Sequence, residues 1–270
     1  MLFPLSDDDR HLVRPAWVTQ ALLAANVALF LVQLASPDFT LGYSVIPAEI
    51  VRGIDLAEPV VVPDPDAGGM PVEVPQAPGP WPIHLTLITA MFLHGGWAHL
   101  GGNMLYLWIF GDNVEHRFGS LRFLLFYLVS GLAATAAQIA TDPNSIIPNL
   151  GASGAISGVL GAYLVLFPHN RVMALFFFRV VSIPAVLVLG LWAAMQVISG
   201  WGSLSGGGAG GLSGGVAYAA HLGGLVAGIV FGLLARLTLK EEPDTPFRRI
   251  YEGLPHRAGL PRRGRRQSWD

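Results

Sequence analysis

Apolar residues are grouped along the chain into six segments, which are separated by polar connections or by stretches rich in glycine and proline. A hydrocarbon core of about 30 Å requires roughly 20 helical residues, so segments of this kind predict membrane-spanning helices. We therefore expect an all-α integral membrane protein built as a bundle of six transmembrane helices. The predicted segments are 16–35, 86–110, 121–140, 151–167, 180–199 and 215–236.

The composition supports a membrane protein. Hydrophobic residues make up 52% of the chain and charged residues only 13%, whereas soluble domains carry about 25% charged residues. The chain contains no cysteine, which excludes disulfides, thiolate catalysis and cysteine-rich zinc sites. The acidic opening "MLFPLSDDDR" predicts that no cleavable signal peptide is present.

The positive charges predict the orientation of the bundle. Fifteen of the sixteen Lys and Arg residues lie in the N-terminal stretch, the second and fourth connections and the C-terminal tail, and Arg52 is the exception. Cytoplasmic loops carry an excess of these residues, so both termini should be cytoplasmic. The 36–85, 141–150 and 200–214 loops then face outward. We expect a multi-pass protein of a bacterial plasma membrane.

The chain divides into a cytoplasmic N-terminus (1–15), a membrane domain (16–236) and a basic cytoplasmic tail (237–270). The tail either lies against anionic lipid headgroups or is solvated. Eight prolines in the 57–82 insert of the first outer loop predict an extended, solvated linker. The 199–215 loop holds nine glycines and should be mobile.

Four polar residues within the predicted helices are candidate site residues, because ionisable groups are costly there and usually functional. His99 and Asn103 are four residues apart, so they share one face of the second helix. Ser153 begins the short fourth segment, and His221 lies about six residues, or roughly 9 Å, into the sixth. The topology therefore predicts that all four residues lie in one layer of the outer leaflet.

Small residues predict that the fourth and sixth helices pack closely. Glycines recur in the fourth segment, and Gly224 and Gly228 form a G-x-x-x-G pair in the sixth. Such faces let helix backbones approach each other in a membrane. A close crossing would bring Ser153 and His221 within hydrogen-bond reach, about 2.6–3.2 Å.

This arrangement suits acyl transfer by a Ser–His dyad. A neutral imidazole such as that of His221 can take the proton of the Ser153 hydroxyl near pH 7. The developing oxyanion needs donors, and the backbone N–H of Ser153 and the side chains of His99 and Asn103 can supply them. No Asp or Glu lies near this layer in the fourth or sixth helix, so we predict a dyad and not a triad.

Other interpretations of the same residues remain open. Ser153 also suits a helix cap or a packing position, and His221 also suits a hydrogen bond to a neighbouring carbonyl. A metal site formed by His94, His99 and His221 is disfavoured, because no carboxylate accompanies it and because residues five apart diverge on a helix. A soluble α/β-hydrolase is excluded because no strand is predicted before Ser153.

Three motifs resemble the rhomboid family of intramembrane serine proteases, and they occur in family order within residues 84–232. The resemblance implies a rhomboid-type six-helix bundle with Ser153 as nucleophile and His221 as general base. It also implies that His99 and Asn103 stabilise the oxyanion. The motifs are "HGGWAHLGGN" at 94–103, "GASGAISG" at 151–158 and "AHLGGLVAG" at 220–228.

The resemblance further implies structural roles for His94, Glu115 and Arg117. The sequence departs from the family pattern in two places. Ser157 occupies a position where some members carry an aromatic residue that stacks on the catalytic imidazole. The first outer loop also lacks the Trp-Arg pair of some members.

The expected function is cleavage of transmembrane segments by an intramembrane serine endopeptidase. Its partners would be single-span substrate proteins and membrane lipids, with no nucleic acid and no metal or organic cofactor. One alternative is an inactive relative that binds membrane proteins without cutting them. Another is a transporter, which the apolar inner halves "GAYLVLF" and "GIVFGLL" of the fourth and sixth helices disfavour.

Overall fold

The structure is a computed structural model that describes residues 2–8, 15–64, 69–205 and 216–239. The predicted tail beyond residue 239 and residues 206–215 of the glycine-rich loop lie outside the described residues. Helices dominate, and two short 3₁₀ turns, Ile83–Leu85 and Ala90–Phe92, flank one of them. The α-helices are α1 (Trp17–Ala35), α2 (Pro37–Gly42), α3 (Pro47–Arg52), α4 (Thr86–Thr89), α5 (Trp97–Phe118), α6 (Ser120–Thr141), α7 (Ser153–Leu166), α8 (Ala185–Ser205) and α9 (Tyr218–Thr238).

Each of the six predicted segments overlaps at least one of these helices. Four of the described helices, α1, α6, α8 and α9, are long and apolar enough to cross a membrane. Helix α7 has 14 residues, and α5 has 22 residues but is more polar. The structure therefore agrees with a multi-pass membrane protein, while the count of six crossing helices stays a prediction.

The second predicted segment, 86–110, is not one continuous helix. It is interrupted between Phe92 and Trp97, and α5 then continues to Phe118, beyond the predicted cytoplasmic end. Gly96 at the interruption has φ +156°, a conformation that favours glycine. The helix that carries the first candidate site residues therefore starts later in the chain than the hydrophobic pattern indicated.

Strands correct the all-α prediction. One antiparallel sheet has the order β1-β4-β5, and β2 and β3 form a separate antiparallel hairpin inside the proline-rich insert. Valine-rich stretches favour strands, and these strands are too short to stand out beside transmembrane hydrophobicity. The insert is thus partly a hairpin and not simply an extended linker. The strands are β1 (Leu2–Ser6), β2 (Val60–Asp64), β3 (Met70–Val74), β4 (Arg171–Phe176) and β5 (Arg179–Pro184).

Helix α7 lies at the centre of the core and packs directly on α9. Every residue of α7 from Gly154 to Tyr163 is buried. A Cβ added at Gly224 would overlap the carbonyl oxygen of Gly154, and one added at Gly228 would overlap that of Gly158. The predicted close approach of these two helices is confirmed, and it depends on glycine at the contact positions.

Glu115 and Arg117, near the C-terminal end of α5, form hydrogen bonds to other helices. The Glu115 carboxylate accepts hydrogen bonds from the backbone N–H groups of Val18 (3.1 Å) and Thr19 (2.8 Å) and from the hydroxyls of Thr19 (2.8 Å) and Ser120 (2.6 Å). It therefore satisfies N–H groups that lack partners in the first turn of α1. Arg117 donates to the carbonyl just past α9 at 2.9 Å. These contacts support the structural roles that the resemblance implied.

Candidate active site

Ser153 is the first residue of α7, and a glycine turn places it there. Gly151 has φ +133°, and its N–H donates to the Ala90 carbonyl at 2.9 Å. The N–H of Ile156 bonds to the Ala152 carbonyl at 2.9 Å, so the N–H of Ser153 precedes the hydrogen-bond ladder of α7. The hydroxyl and the N–H of Ser153 are thus both available at a helix N-terminus.

His221 reaches Ser153 from the first turn of α9. Its Nε2 lies 2.8 Å from the Ser153 Oγ, within the range of a nucleophile–base hydrogen bond, about 2.6–3.2 Å. The glycine contacts between α7 and α9 hold the N-terminal ends of the two helices close enough for this contact. The structure therefore brings together the two residues that the sequence proposed as a dyad.

The second ring nitrogen of His221 contacts a residue that the sequence did not single out. His221 Nδ1 lies 2.8 Å from the Gln196 Oε1 on α8, and the Trp192 ring lies 6.3 Å from the imidazole at 35°. An amide oxygen only accepts, so this contact favours the tautomer in which Nδ1 carries the proton and the Nε2 lone pair faces Ser153. Gln196 is the one carboxamide in the predicted 180–199 segment, which is the signal that could have found it.

His99 is oriented as a hydrogen-bond donor. The Gly95 N–H donates to His99 Nδ1 at 3.3 Å, so the proton of the neutral ring sits on Nε2. A Cβ added at Gly151 would lie 2.9 Å from His99 Nε2 and 3.5 Å from the Ser153 Oγ. The donor edge of His99 and the candidate nucleophile therefore border the same side of Gly151.

Asn103 lies one helical turn beyond His99 and is buried, with 7% of its surface exposed. Within the described part of the chain its Nδ2 has no hydrogen-bond partner. Unpartnered buried amides are uncommon and need an explanation. An acceptor on a bound ligand would satisfy this group.

A cavity of about 780 Å³ connects these residues. Ser153, His221, His99 and Asn103 all line it, together with Tyr106 and Trp192. Its size is within the range of ligand-binding clefts, about 300–1,000 Å³. The four candidate residues, predicted from topology to share one layer, thus face one common space.

His94 lies outside α5, in the interrupted stretch. Its backbone N–H donates to the Gln33 Oε1 at 2.9 Å and its carbonyl accepts from the Gln33 Nε2 at 3.1 Å. The ring meets that of His99 edge-on at 5.2 Å, so the expectation that these two histidines diverge on a helix is wrong. Within the described residues, no group of three His, Asp or Glu could hold a metal ion. His94 is therefore placed to support the His99 ring by this contact.

Ser157 does not take the place of the aromatic residue found in some rhomboids. Its hydroxyl donates to the Ser153 carbonyl at 2.6 Å, within α7. The side chain is therefore used inside its own helix, and the His221 imidazole contacts Ser153 and, on α8, Gln196 and Trp192.

The fold and the site together define a mostly helical membrane protein with a serine–histidine pair in a cleft between apolar helices. The Rhomboid domain matches residues 83–237, which is more than half of the chain. The chain belongs to the rhomboid family.

Curated relatives agree with this family. Rhomboid protein 1, mitochondrial, of Saccharomyces cerevisiae is 34% identical over 152 residues, covering 55% of this chain and 41% of that protein. Rhomboid protease GluP of Bacillus subtilis is 40% identical over 124 residues, covering 44% and 23%. RHOMBOID-like protein 6, mitochondrial, of Arabidopsis thaliana is 33% identical over 162 residues, covering 55% and 51%. The similarity thus spans about half or less of each relative's length.

Proposed function

We propose that this protein is a serine endopeptidase that cleaves transmembrane segments of other membrane proteins. The observation that carries the proposal is the 2.8 Å contact between Ser153 Oγ and His221 Nε2, which lies in a cleft bordered by His99 and Asn103. Membership of the rhomboid family and similarity to a relative named as a rhomboid protease support the same reaction class.

In the proposed acylation step, His221 Nε2 takes the Ser153 hydroxyl proton as Oγ attacks the scissile carbonyl. The carbonyl oxygen becomes an oxyanion, which accepts hydrogen bonds from the Ser153 N–H, from His99 Nε2 and from Asn103 Nδ2. When the tetrahedral intermediate collapses, the C–N bond breaks. His221 then gives its proton to the leaving amine, and the acyl group stays on Ser153.

In deacylation, a water molecule attacks the Ser153 ester while His221 takes one of its protons. Collapse of the second intermediate returns that proton to Oγ and releases a carboxylic acid. The substrate must enter as extended chain, because the peptide bonds of a transmembrane helix are hydrogen-bonded internally. We therefore propose single-span membrane proteins with helix-destabilising residues near the cleavage site as the substrate class.

The decisive experiment compares Ser153→Ala, His221→Ala and the double variant with the unmodified protein in cleavage of a transmembrane substrate. Each single variant should lose about 10⁴-fold or more in rate, and the double variant little further, because the two residues act as one unit. Substantial cleavage by folded Ser153→Ala protein would refute the proposal.

Two other functions are distinguished by simple measurements. An inactive membrane-protein-binding relative would fail to react with a serine-directed fluorophosphonate, whereas the proposed protease should be labelled at Ser153. A transporter would need polar residues along a path through the bilayer, and the described inner half of α7 is apolar. Ion flux into liposomes above background would favour the transporter.

We also propose that both termini face the cytoplasm, on the basis of the arginine and lysine distribution. The relatives include both mitochondrial and Bacillus subtilis proteins, so the comparisons support a membrane location without selecting the bacterial plasma membrane. Single cysteines introduced into this cysteine-free chain test the topology. An impermeant maleimide added to intact cells should label a cysteine in the 141–150 loop, and should label one at residue 2 only after the cells are lysed.

A further inference from the structure

We propose that Gln196 of α8 is a positioning residue that holds the catalytic imidazole of His221 in its reactive tautomer and rotamer. This inference rests on the proposed function, since it concerns the same dyad. It adds a third, uncharged member to a site in which the sequence predicted two.

The contact with Gln196 favours one tautomer of the His221 ring. Gln196 Oε1 lies 2.8 Å from His221 Nδ1 and can only accept a hydrogen bond. It therefore favours the ring with its proton on Nδ1 and a lone pair on Nε2, 2.8 Å from Ser153 Oγ. With the proton on Nε2, the imidazole cannot take the serine proton.

Gln196 and Trp192 also restrict the rotamer of the His221 side chain. A histidine ring turns about two side-chain bonds, and a contact at Nε2 alone leaves the ring free to swing. Gln196 contacts the opposite nitrogen, and Trp192, one helical turn earlier on α8, lies against the ring at 6.3 Å. Ser157, where some rhomboids carry an aromatic, bonds instead to its own helix. The positioning contacts thus come from α8 in this chain.

Gln196, the partner of His221 Nδ1, is a neutral acceptor and not a carboxylate. In a Ser–His–Asp triad, the carboxylate orients the imidazole and stabilises the imidazolium. An amide oxygen can orient the ring in the same way but stabilises its positive charge less, because it carries no net charge. Gln196 therefore performs the orienting part of that task without burying a charge among apolar helices.

The arrangement makes the dyad depend on a helix that is held less firmly than its neighbours. The backbones of α7 and α9 touch through glycines, which fixes the starting points of both dyad side chains. Of the four candidate membrane spans, α8 is the least buried. A displacement of α8 would leave Ser153 and the His221 backbone in place while it removes the contact to Nδ1.

The test compares Gln196→Met and Gln196→Glu in the full-length protein in detergent or liposomes. Gln196→Met keeps the length of the side chain and removes the acceptor, so kcat should fall about 10–10²-fold while KM changes little. Gln196→Glu keeps an acceptor and adds a charge that stabilises the imidazolium. It should restore most of the rate and move the acid limb of the pH–rate profile to higher pH, by about one unit.

A matched control is available at Gln138 of α6. Its Oε1 accepts from the Ala220 backbone N–H at 3.3 Å, so it contacts the same turn of α9 without bonding to the ring. Gln138→Met should keep most of the wild-type kcat and the wild-type pH profile. A general loss of packing near α9 would lower the activity of Gln138→Met and Gln196→Met alike.

The outcomes separate this inference from the proposed function. Wild-type kcat in Gln196→Met, equal losses at positions 138 and 196, or an unshifted pH profile in Gln196→Glu would each overturn the role of Gln196. If Gln196→Met does not fold, the pH profile of the isosteric Gln196→Glu decides alone. Loss of cleavage in Ser153→Ala and His221→Ala, tested in parallel, shows that the dyad holds even where Gln196 fails.

Discussion

His99 and Ser153, on two sides of the candidate catalytic cleft, both lie next to Gly151. Gly151 adopts φ +133°, a sparsely populated conformation that strains a residue with a Cβ by about 1–3 kcal/mol. A side chain there would also press against the His99 ring, 2.9 Å away. Glycine at this position therefore serves both the turn into α7 and the space in which a substrate carbonyl would sit.

Asn103→Ala should lower kcat by about 10–10³-fold with a weaker effect on KM, because the lost donor acts on charge that develops in the transition state. Steady-state cleavage of a transmembrane substrate measures both constants. Asn26→Ala is the control, since Asn26 is also buried but bonds within α1, to the Leu22 carbonyl at 2.7 Å. A rise in KM alone for Asn103→Ala would assign Asn103 to substrate binding.

At the scale of elements, the bundle combines a tightly packed pair with a loosely held neighbour. Contacts between α7 and α9 are backbone to backbone at Gly154–Gly224 and Gly158–Gly228. Helix α8 instead presents large apolar side chains outward. The α7–α9 contacts fix the positions of Ser153 and His221. Helix α8 is the side of the cleft where we predict an opening.

Gly228→Ala should destabilise the protein by at least about 2 kcal/mol, because its Cβ would overlap the Gly158 carbonyl oxygen. Gly190→Ala on α8 is the matched control, since a Cβ there meets no atom within 4 Å. Alanine should be neutral or slightly stabilising at that helical position. Unfolding in mixed micelles measures both variants. Equal stability of the two would contradict the backbone contact that we describe between α7 and α9.

We predict from the sequence that substrate enters at the C-terminal end of α8 and the glycine-rich 199–215 loop. A Cβ added at Gly200 would lie 3.1 Å from the Tyr218 Cβ, near the separation in disulfides, about 3.5–4.5 Å. Gly200→Cys with Tyr218→Cys, in a chain that has no cysteine, should therefore lock α8 to α9. The oxidised protein should cleave transmembrane substrates at least about tenfold more slowly.

Small fluorophosphonates should still label Ser153 in the locked protein, because they do not need a wide entrance. Reduction should restore cleavage, and each single-cysteine variant should be insensitive to oxidation. Unchanged cleavage in the locked protein would contradict an entrance at α8. Equal loss of cleavage and labelling would show that the lock distorts the site and that the entrance lies elsewhere.

At the scale of the whole molecule, the loop between α1 and α4 is hydrogen-bonded to the segment that leads into the candidate active site. Val45 and Asn149 exchange backbone hydrogen bonds at 2.9 and 2.7 Å, and the Ala48 N–H donates to the Ser145 carbonyl at 3.0 Å. The loop that carries α3 thus braces residues 145–149, just before Ser153. Changes in this loop should therefore alter the position of Ser153.

Glu49 makes this brace sensitive to pH. Its side chain is buried and accepts from the Leu56 N–H at 2.8 Å. Burial raises the pKa of Glu49 from 4.5 to about 7, with a further rise from the charge of Asp55 that the Leu56 hydrogen bond partly offsets. A pKa raised by folding stabilises the fold below the unfolded pKa, and this stabilisation is lost as pH rises through the folded pKa.

Ionisation of Glu49 should therefore lower the stability of the protein between about pH 4.5 and pH 7. This contribution should level off above pH 7. Glu49→Gln, which keeps an acceptor for Leu56, should remove that part of the pH dependence. Thermal unfolding at pH 5, 6, 7 and 8 compares the two proteins. Parallel curves would show that Glu49 does not titrate in this range.

The site residues could be named from the sequence because their chemistry and depth are local properties. A histidine and an asparagine four apart on one helix, a serine after a glycine turn and a histidine near the start of another helix are all visible as motifs. The spacing of Gly224 and Gly228 indicated which helices pack, since only small residues permit backbone contact. The family and the mostly helical fold followed from the same patterns.

Other features were decided by tertiary structure, because they depend on contacts between residues far apart in the chain. The break before α5 brings His94 to His99, whereas the hydrophobic pattern ran through that break without interruption. The pairing of β1 with β4 joins Leu2 to Phe176, which lie far apart in the chain, and local hydropathy does not encode such a contact. Gln196 and His221 are 25 residues apart on different helices, so only the packing of α8 on α9 shows that one orients the other.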